Sequence, residues 1–151
     1  MNTYSMKEAD VSPRLLAGVR AVVPVGKVPE LFRTYLDQVY AAGRGGAIQL
    51  DGQNVFVYHP RADGDLTVDF CVGVKATFSS IGAVVPVETP SGVAATTTHW
   101  GSYAGLRSAH DALQAWCRTN DRATAGPSWE VYGHWSDDPA KVRTDIYYLL
   151  R

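Results

Sequence analysis

From Arg14 onward the chain alternates into strand-like apolar runs. Leu15, Leu16, Val19, Ala21, Val22 and Val23 precede Pro24, and β-branched residues closed by a proline suit an extended segment. Val28, Leu31, Phe32, Tyr35, Leu36, Val39 and Tyr40 then recur at three- and four-residue steps, which predicts an amphipathic helix. Pro29 fits its first turn, where a missing N–H is harmless, and Gly43 is read as its stop. Two strands follow, Ala47 to His59 and Leu66 to Phe78, around the polar turn Pro60 to Asp65. The first half therefore reads strand, helix, strand, strand.

The second half repeats that order. Ser80 to Pro90 is a connector with an extended stretch at Val84 to Val87, and Gly92 to Trp100 is a strand. Ser102 is a plausible N-cap for a helix whose apolar stripe is Leu106, Ala109, His110, Leu113, Trp116 and Cys117. Asp121 to Pro127 reads as a loop, Trp129 to Trp135 as a strand, Ser136 to Lys141 as a turn and Val142 to Leu150 as the last strand. Phe56-Val57-Tyr58 falls on Glu130-Val131-Tyr132 at a shift of 74, and Val68-Asp69-Phe70 on Thr144-Asp145-Ile146 at a shift of 76. A βαββ unit present twice is an internal duplication. The expected fold is α+β: duplicated βαββ modules with pseudo-two-fold symmetry, an antiparallel sheet, two main helices and a central ligand cleft. Residues 1–13 read as a flexible tail and 14–151 as one domain, with repeat one at about 14–78 and repeat two at about 92–151.

Composition narrows the function classes. A chain of 151 residues is one domain, large enough for a core without disulfides or metal. Fourteen basic against fifteen acidic residues leave a net charge of -1, which argues against direct nucleic-acid binding and against an electrostatic membrane sensor. No apolar run approaches the ~20 residues of a membrane helix. Cys71 and Cys117 lack CxxC spacing and read as buried small hydrophobes in a reducing cytoplasm. The one unusual figure is 11% aromatic residues.

Glu130 is the most informative position, because the first copy has Phe56 there. Alternation puts Glu130, Tyr132 and His134 on one side of a strand and Trp129, Val131 and Trp135 on the other. An acid in such a strand is costly unless partnered. Two readings stay open: a satisfied core Glu, or a ligand-directed carboxylate in an aromatic cleft. His59 reads as a turn residue and His110 as core or interface, while His99 and His134 lie on second-copy strands. No histidine pair has metal-ligand spacing, so no metal and no cofactor is expected. Serines lack a Gly-x-Ser-x-Gly context, and Gly43-Arg44-Gly45-Gly46 lacks the ending of a phosphate loop.

Several stretches together resemble a known family. These are Leu16 to Pro24, Tyr58-His59-Pro60, Val84 to Val87 before Pro90-Ser91-Gly92, His99 to Leu106, Ala112 to Trp116, Trp129 to Tyr132 and Thr144-Asp145-Ile146. From about residue 14 to the C-terminus the chain is similar to the gyrase inhibitor-like (GyrI-like) small-molecule-binding domain, also the effector-binding part of AraC- and MerR-type multidrug regulators. The resemblance implies an aromatic cleft that takes varied, often cationic compounds. It carries the central acid onto Glu130 and aromatic roles onto Tyr103 and Tyr132. Trp100 departs from the charged or small residue usual before this glycine, and no proline follows Gly101. With Trp100, Phe56, Tyr58, His134 and Tyr148 added, these form the expected ligand-binding set.

The expectation is a stand-alone cytoplasmic binding domain for an aromatic or cationic small molecule. Buried acid beside rings attracts such ligands through charge and cation–π contact. The alternative, implied by some relatives, is a hydrolase of electrophilic cyclopropane-type natural products. Glu130 would be its general base, with Tyr103 or Trp100 positioning the substrate. A protein partner of gyrase type, or a homodimer, is a further expectation.

Overall fold

The computed structural model describes residues 4–151. In chain order the elements are β1 (Lys7–Val11), β2 (Leu15–Val23), α1 (Val28–Arg44), β3 (Leu50–Pro60), β4 (Leu66–Val74), β5 (Val85–Glu88), β6 (Gly92–Trp100), α2 (Leu106–Thr119), β7 (Thr124–Tyr132) and β8 (Arg143–Leu150). The fold is α+β with two main helices and antiparallel strand pairs. The chain divides into two compact modules. Module one is Pro13–Thr89, and module two is Pro90–Arg151 with the N-terminal segment through Ser12.

Module one orders its strands β3-β4-β2-β5. Its helix buries Leu36 and Val39 against the sheet. Tyr35 stacks on Phe70 at 5.2 Å, Phe32 meets Phe56 at 5.9 Å, and Phe56 meets Phe70 edge-on at 5.0 Å. Those rings supply large buried area, so they hold helix to sheet more firmly than helix propensity does. The helix stop lies two residues beyond Gly43. Gly45 and Gly46 close the last turn, and Gly46 takes φ +87°, a conformation that favours glycine. Gly43 has a different use: a Cβ there would lie 2.9 Å from Leu50 Cγ, so its bare backbone lets β3 approach.

Module two orders its strands β1-β6-β8-β7. Ala109, Leu113 and Cys117 of α2 pack on Ala95, Ile146, Tyr148 and Leu150, with Tyr4 and Met6 against the same core. The residues expected to form a tail are therefore structural in part. Lys7–Val11 pairs with β6, from Lys7 opposite Thr96 to Val11 opposite Gly92. Met1 to Thr3 lie outside the described residues. The strand was missed because it is short and mostly charged, with one face exposed. Ser102 makes no side-chain cap; a 3-10 turn, Tyr103–Gly105, leads into α2 instead. The expected loop at Asp121 to Pro127 is shorter, because β7 starts at Thr124, and β7 ends at Tyr132 rather than Trp135.

The duplication is written into the register. Leu50 and Asn54 of β3 pair with Val74 and Val72 across a bulge. Thr124 and Ser128 of β7 pair with Leu150 and Tyr148 across the same bulge. Leu16 of β2 faces Val87 of β5, and Ala94 of β6 faces Ala9 of β1. Each copy is thus ββαββ, with its leading strand paired into the other copy's sheet.

Candidate functional site

Strand pairing decides which side chains share a face. Glu130 lies opposite Ile146, and Ile146 opposite Thr97. Ser128 lies opposite Tyr148, and Tyr148 opposite Ala95. These rows include the residues that α2 covers, so Glu130, Tyr132 and Tyr148 all lie on the helix face of module two. Trp129 and Tyr147 stack on the opposite face at 5.1 Å.

Glu130 is 5% exposed. Tyr132 Oη donates to its Oε1 at 2.5 Å, and His110 Nε2 donates to its Oε2 at 2.7 Å. His110 Nδ1 meets Tyr148 Oη at 2.6 Å, and Gln114 Nε2 donates to that same hydroxyl at 2.9 Å. Helical spacing of four puts His110 and Gln114 on one side of α2, facing β7 and β8. Burial pushes the Tyr148 hydroxyl up to about 12; the Gln114 bond opposes it, and the charge of Glu130 adds a smaller upward push. It therefore stays protonated at neutral pH. A carboxylate, an imidazole and two phenols form one bonded row.

Rings continue the row toward solvent. Tyr103 packs edge-on against Tyr132 at 5.7 Å and tilts against Trp135 at 6.2 Å. Tyr103 is 43% exposed and Trp135 is 70% exposed. Such exposed large rings beside a buried acid are an unusual surface for a small domain.

Other sequence-predicted residues fall elsewhere. Trp100 pairs with Arg143, one residue out of step with the row of His99, Thr144 and Tyr132, so it lies on the face opposite Glu130. There Arg143 covers its ring at 5.4 Å. Its expected place beside the acid is corrected by this parity. His134 is exposed and lies past the last residue of β7, so strand alternation does not carry it to the Glu130 face. Phe56 and Tyr58 lie in module one, on that module's helix face, where Phe56 meets Phe32 and Phe70. His59 ends β3 and bonds Asp69 at 3.1 Å. His99 is buried; its Nε2 donates to the Ser102 carbonyl and its Nδ1 accepts from Tyr4.

Three residues were not in the expected set. The sequence marks His110 as core or interface and gives Gln114 and Trp135 no role in the site. The polar pair at 110 and 114 beside an apolar stripe was the available signal. Among the described residues no group of three His, Cys, Asp or Glu could hold a metal ion, and no helix is long and apolar enough to cross a membrane.

This fold is that of a small-molecule-binding α+β domain. The model of the GyrI-like small molecule binding domain matches residues 5–151, and the chain belongs to that family. No curated protein matches the sequence. Among solved structures, the EcmrR C-terminal domain is similar with a TM-score of 0.79 at 20% identity, over 98% of both chains. SAV2435 bound to tetraphenylphosphonium has a TM-score of 0.69 at 13% identity, over 99% of this chain and 94% of that one. A hydrolase from Listeria innocua has a TM-score of 0.66 at 12% identity, over 97% and 91%. At these identities the likeness is one of fold.

Proposed function

We propose that this domain binds an aromatic organic cation on the helix face of module two. The observation that carries the reading is Glu130, only 5% exposed and continuous with the exposed rings of Tyr103 and Trp135 through Tyr132. A buried carboxylate favours a positive ligand, and each ring adds about 0.5–2 kcal/mol of cation–π attraction. Flat rings impose few hydrogen-bond demands, which suits a site that accepts several ligands. The neighbour SAV2435 was solved with a cation of this kind, tetraphenylphosphonium.

The test uses tetraphenylphosphonium and its neutral relative triphenylphosphine oxide, titrated against tryptophan fluorescence. The cation should bind more tightly than the neutral compound. Glu130→Gln should weaken the cation about tenfold and leave the neutral compound unchanged. Equal affinity for both compounds, or no effect of the substitution, would overturn the reading.

A second reading is hydrolysis of an electrophilic cyclopropane-type compound, and the His110–Glu130 pair favours it. An imidazole held by a carboxylate is an arrangement that moves protons in catalysis. If it holds, such a compound is turned over by the wild-type protein and not by Glu130→Gln. Product formed only at the uncatalysed rate would dismiss it.

A further inference from the structure

We infer that cation binding at Glu130 is linked to the loss of a proton from His110. This rests on the binding reading above and adds a regulator to it.

The bonding fixes which proton moves. An ionised carboxylate only accepts hydrogen bonds, so His110 Nε2, at 2.7 Å from Glu130 Oε2, carries hydrogen in either state of the ring. The exchangeable proton is therefore on Nδ1, which faces Tyr148 Oη at 2.6 Å. When Nδ1 is protonated it donates to that hydroxyl. When it is bare it accepts from the hydroxyl, whose hydrogen swings round. Gln114 donates to the phenol oxygen in both cases. With Nδ1 bare, every polar group of this row has a partner; with Nδ1 protonated, the Tyr148 oxygen accepts twice and its own hydrogen turns out of the row.

The charge of the pair changes with that proton. With neutral His110 the pair carries -1; with cationic His110 it carries none. A permanent cation should prefer the first state, and proton and ligand should compete. Facing the ring are Glu130 and Tyr132 on β7 and Tyr148 on β8. Arg107 and Asp111 flank it on α2 and are exposed. Tyr103 lies in the turn before α2, and on β6 His99 is held by Tyr4 and Ser102. Among side-chain classes in general, a free imidazole is the one that changes charge between roughly pH 5 and 8.

The experiment measures tetraphenylphosphonium affinity from pH 5 to pH 8. Its charge is fixed, so any pH effect belongs to the protein. Affinity should rise with pH, approaching tenfold per unit on the acid side, then level off. Calorimetry in two buffers of different ionisation enthalpy should show up to one proton released per cation bound near the midpoint. In His110→Gln the pH dependence should vanish, whatever the absolute affinity. A flat wild-type profile with binding intact would overturn the linkage alone, as would a pH dependence that survives in His110→Gln. Absence of binding at every pH would instead overturn the function proposed above. The proton-release measurement needs no variant, so a poorly folded His110→Gln does not decide the matter.

Discussion

His110 Nε2 lies 2.7 Å from Glu130 Oε2, although the two stand on different elements, α2 and β7. The contact changes what the acid is. A lone buried carboxylate would be a destabilising charge awaiting a ligand. Paired with an imidazole and a phenol, it is satisfied when empty and still able to answer a cation. The two readings left open by the sequence, core residue and ligand acid, are therefore compatible.

A second buried acid gives a pH signature of a different kind. Asp69 in module one is 1% exposed. It accepts from Arg20 at 2.8 and 3.0 Å and from His59 at 3.1 Å. Burial pushes its carboxyl up, but the bonds from His59 and Arg20 and their charges outweigh that and leave it below the ordinary value. A carboxyl with a depressed folded-state pKa stabilises the fold above its unfolded value of about 3.9. That contribution is lost as pH falls through the folded value. Asp69→Asn should therefore cost on the order of 3 kcal/mol at pH 7, the low end for a broken buried pair. Urea unfolding should show the gap to wild type narrowing from pH 5 to pH 3. A gap that is constant over this range would remove the charge of Asp69 from the account.

The N-terminal strand predicts where a truncation acts. β1 covers the edge of β6, Thr97 Oγ1 donates to the Ser5 carbonyl at 2.9 Å, and Arg122 pairs with Glu8 at 2.7 Å. Removing residues 1–11 should expose the β6 edge and lower the melting temperature by several degrees. Hydrogen exchange should quicken in β6 and α2, while β3 and β4, which make no pair with β1, keep their protection. Unchanged exchange in β6 would show that the strand adds nothing.

Much of this was legible, and the exceptions have physical reasons. The repeat of Phe56-Val57-Tyr58 at Glu130-Val131-Tyr132 located the strands, because strand faces force a period of two. β1 was hidden because Lys7, Glu8 and Asp10 give it no apolar signal; its partner strand, not its propensity, orders it. The face of Trp100 is not legible from its place before Gly101; cross-strand pairing with Arg143, one step off the Glu130 row, sets it. His110 was hidden because helix periodicity shows a face but not the group opposite. Its partners on β7 and β8 are set only by the tertiary fold.

Gly18 and Cys71 offer a sharper test of packing. They are cross-strand partners in β2 and β4. A Cβ on Gly18 would run into Cys71 Sγ and would come within 3.2 Å of Val87 Cγ2 on β5. Cys71 is fully buried, and burial drives its thiol well above the ordinary range, so it is packing and not chemistry. Gly18→Ala should cost about 1–3 kcal/mol through overpacking. Cys71→Ala alone should cost less, because it removes a single atom. Together the two substitutions shift one atom's worth of volume from one strand to its neighbour. The double variant should therefore be more stable than the sum of the single costs predicts, by about 0.5–3 kcal/mol in a double-mutant cycle. Strict additivity would mean that β2 relaxes away from Cys71. In that case β5, which packs on Gly18 through Val87, should lose hydrogen-exchange protection in Gly18→Ala.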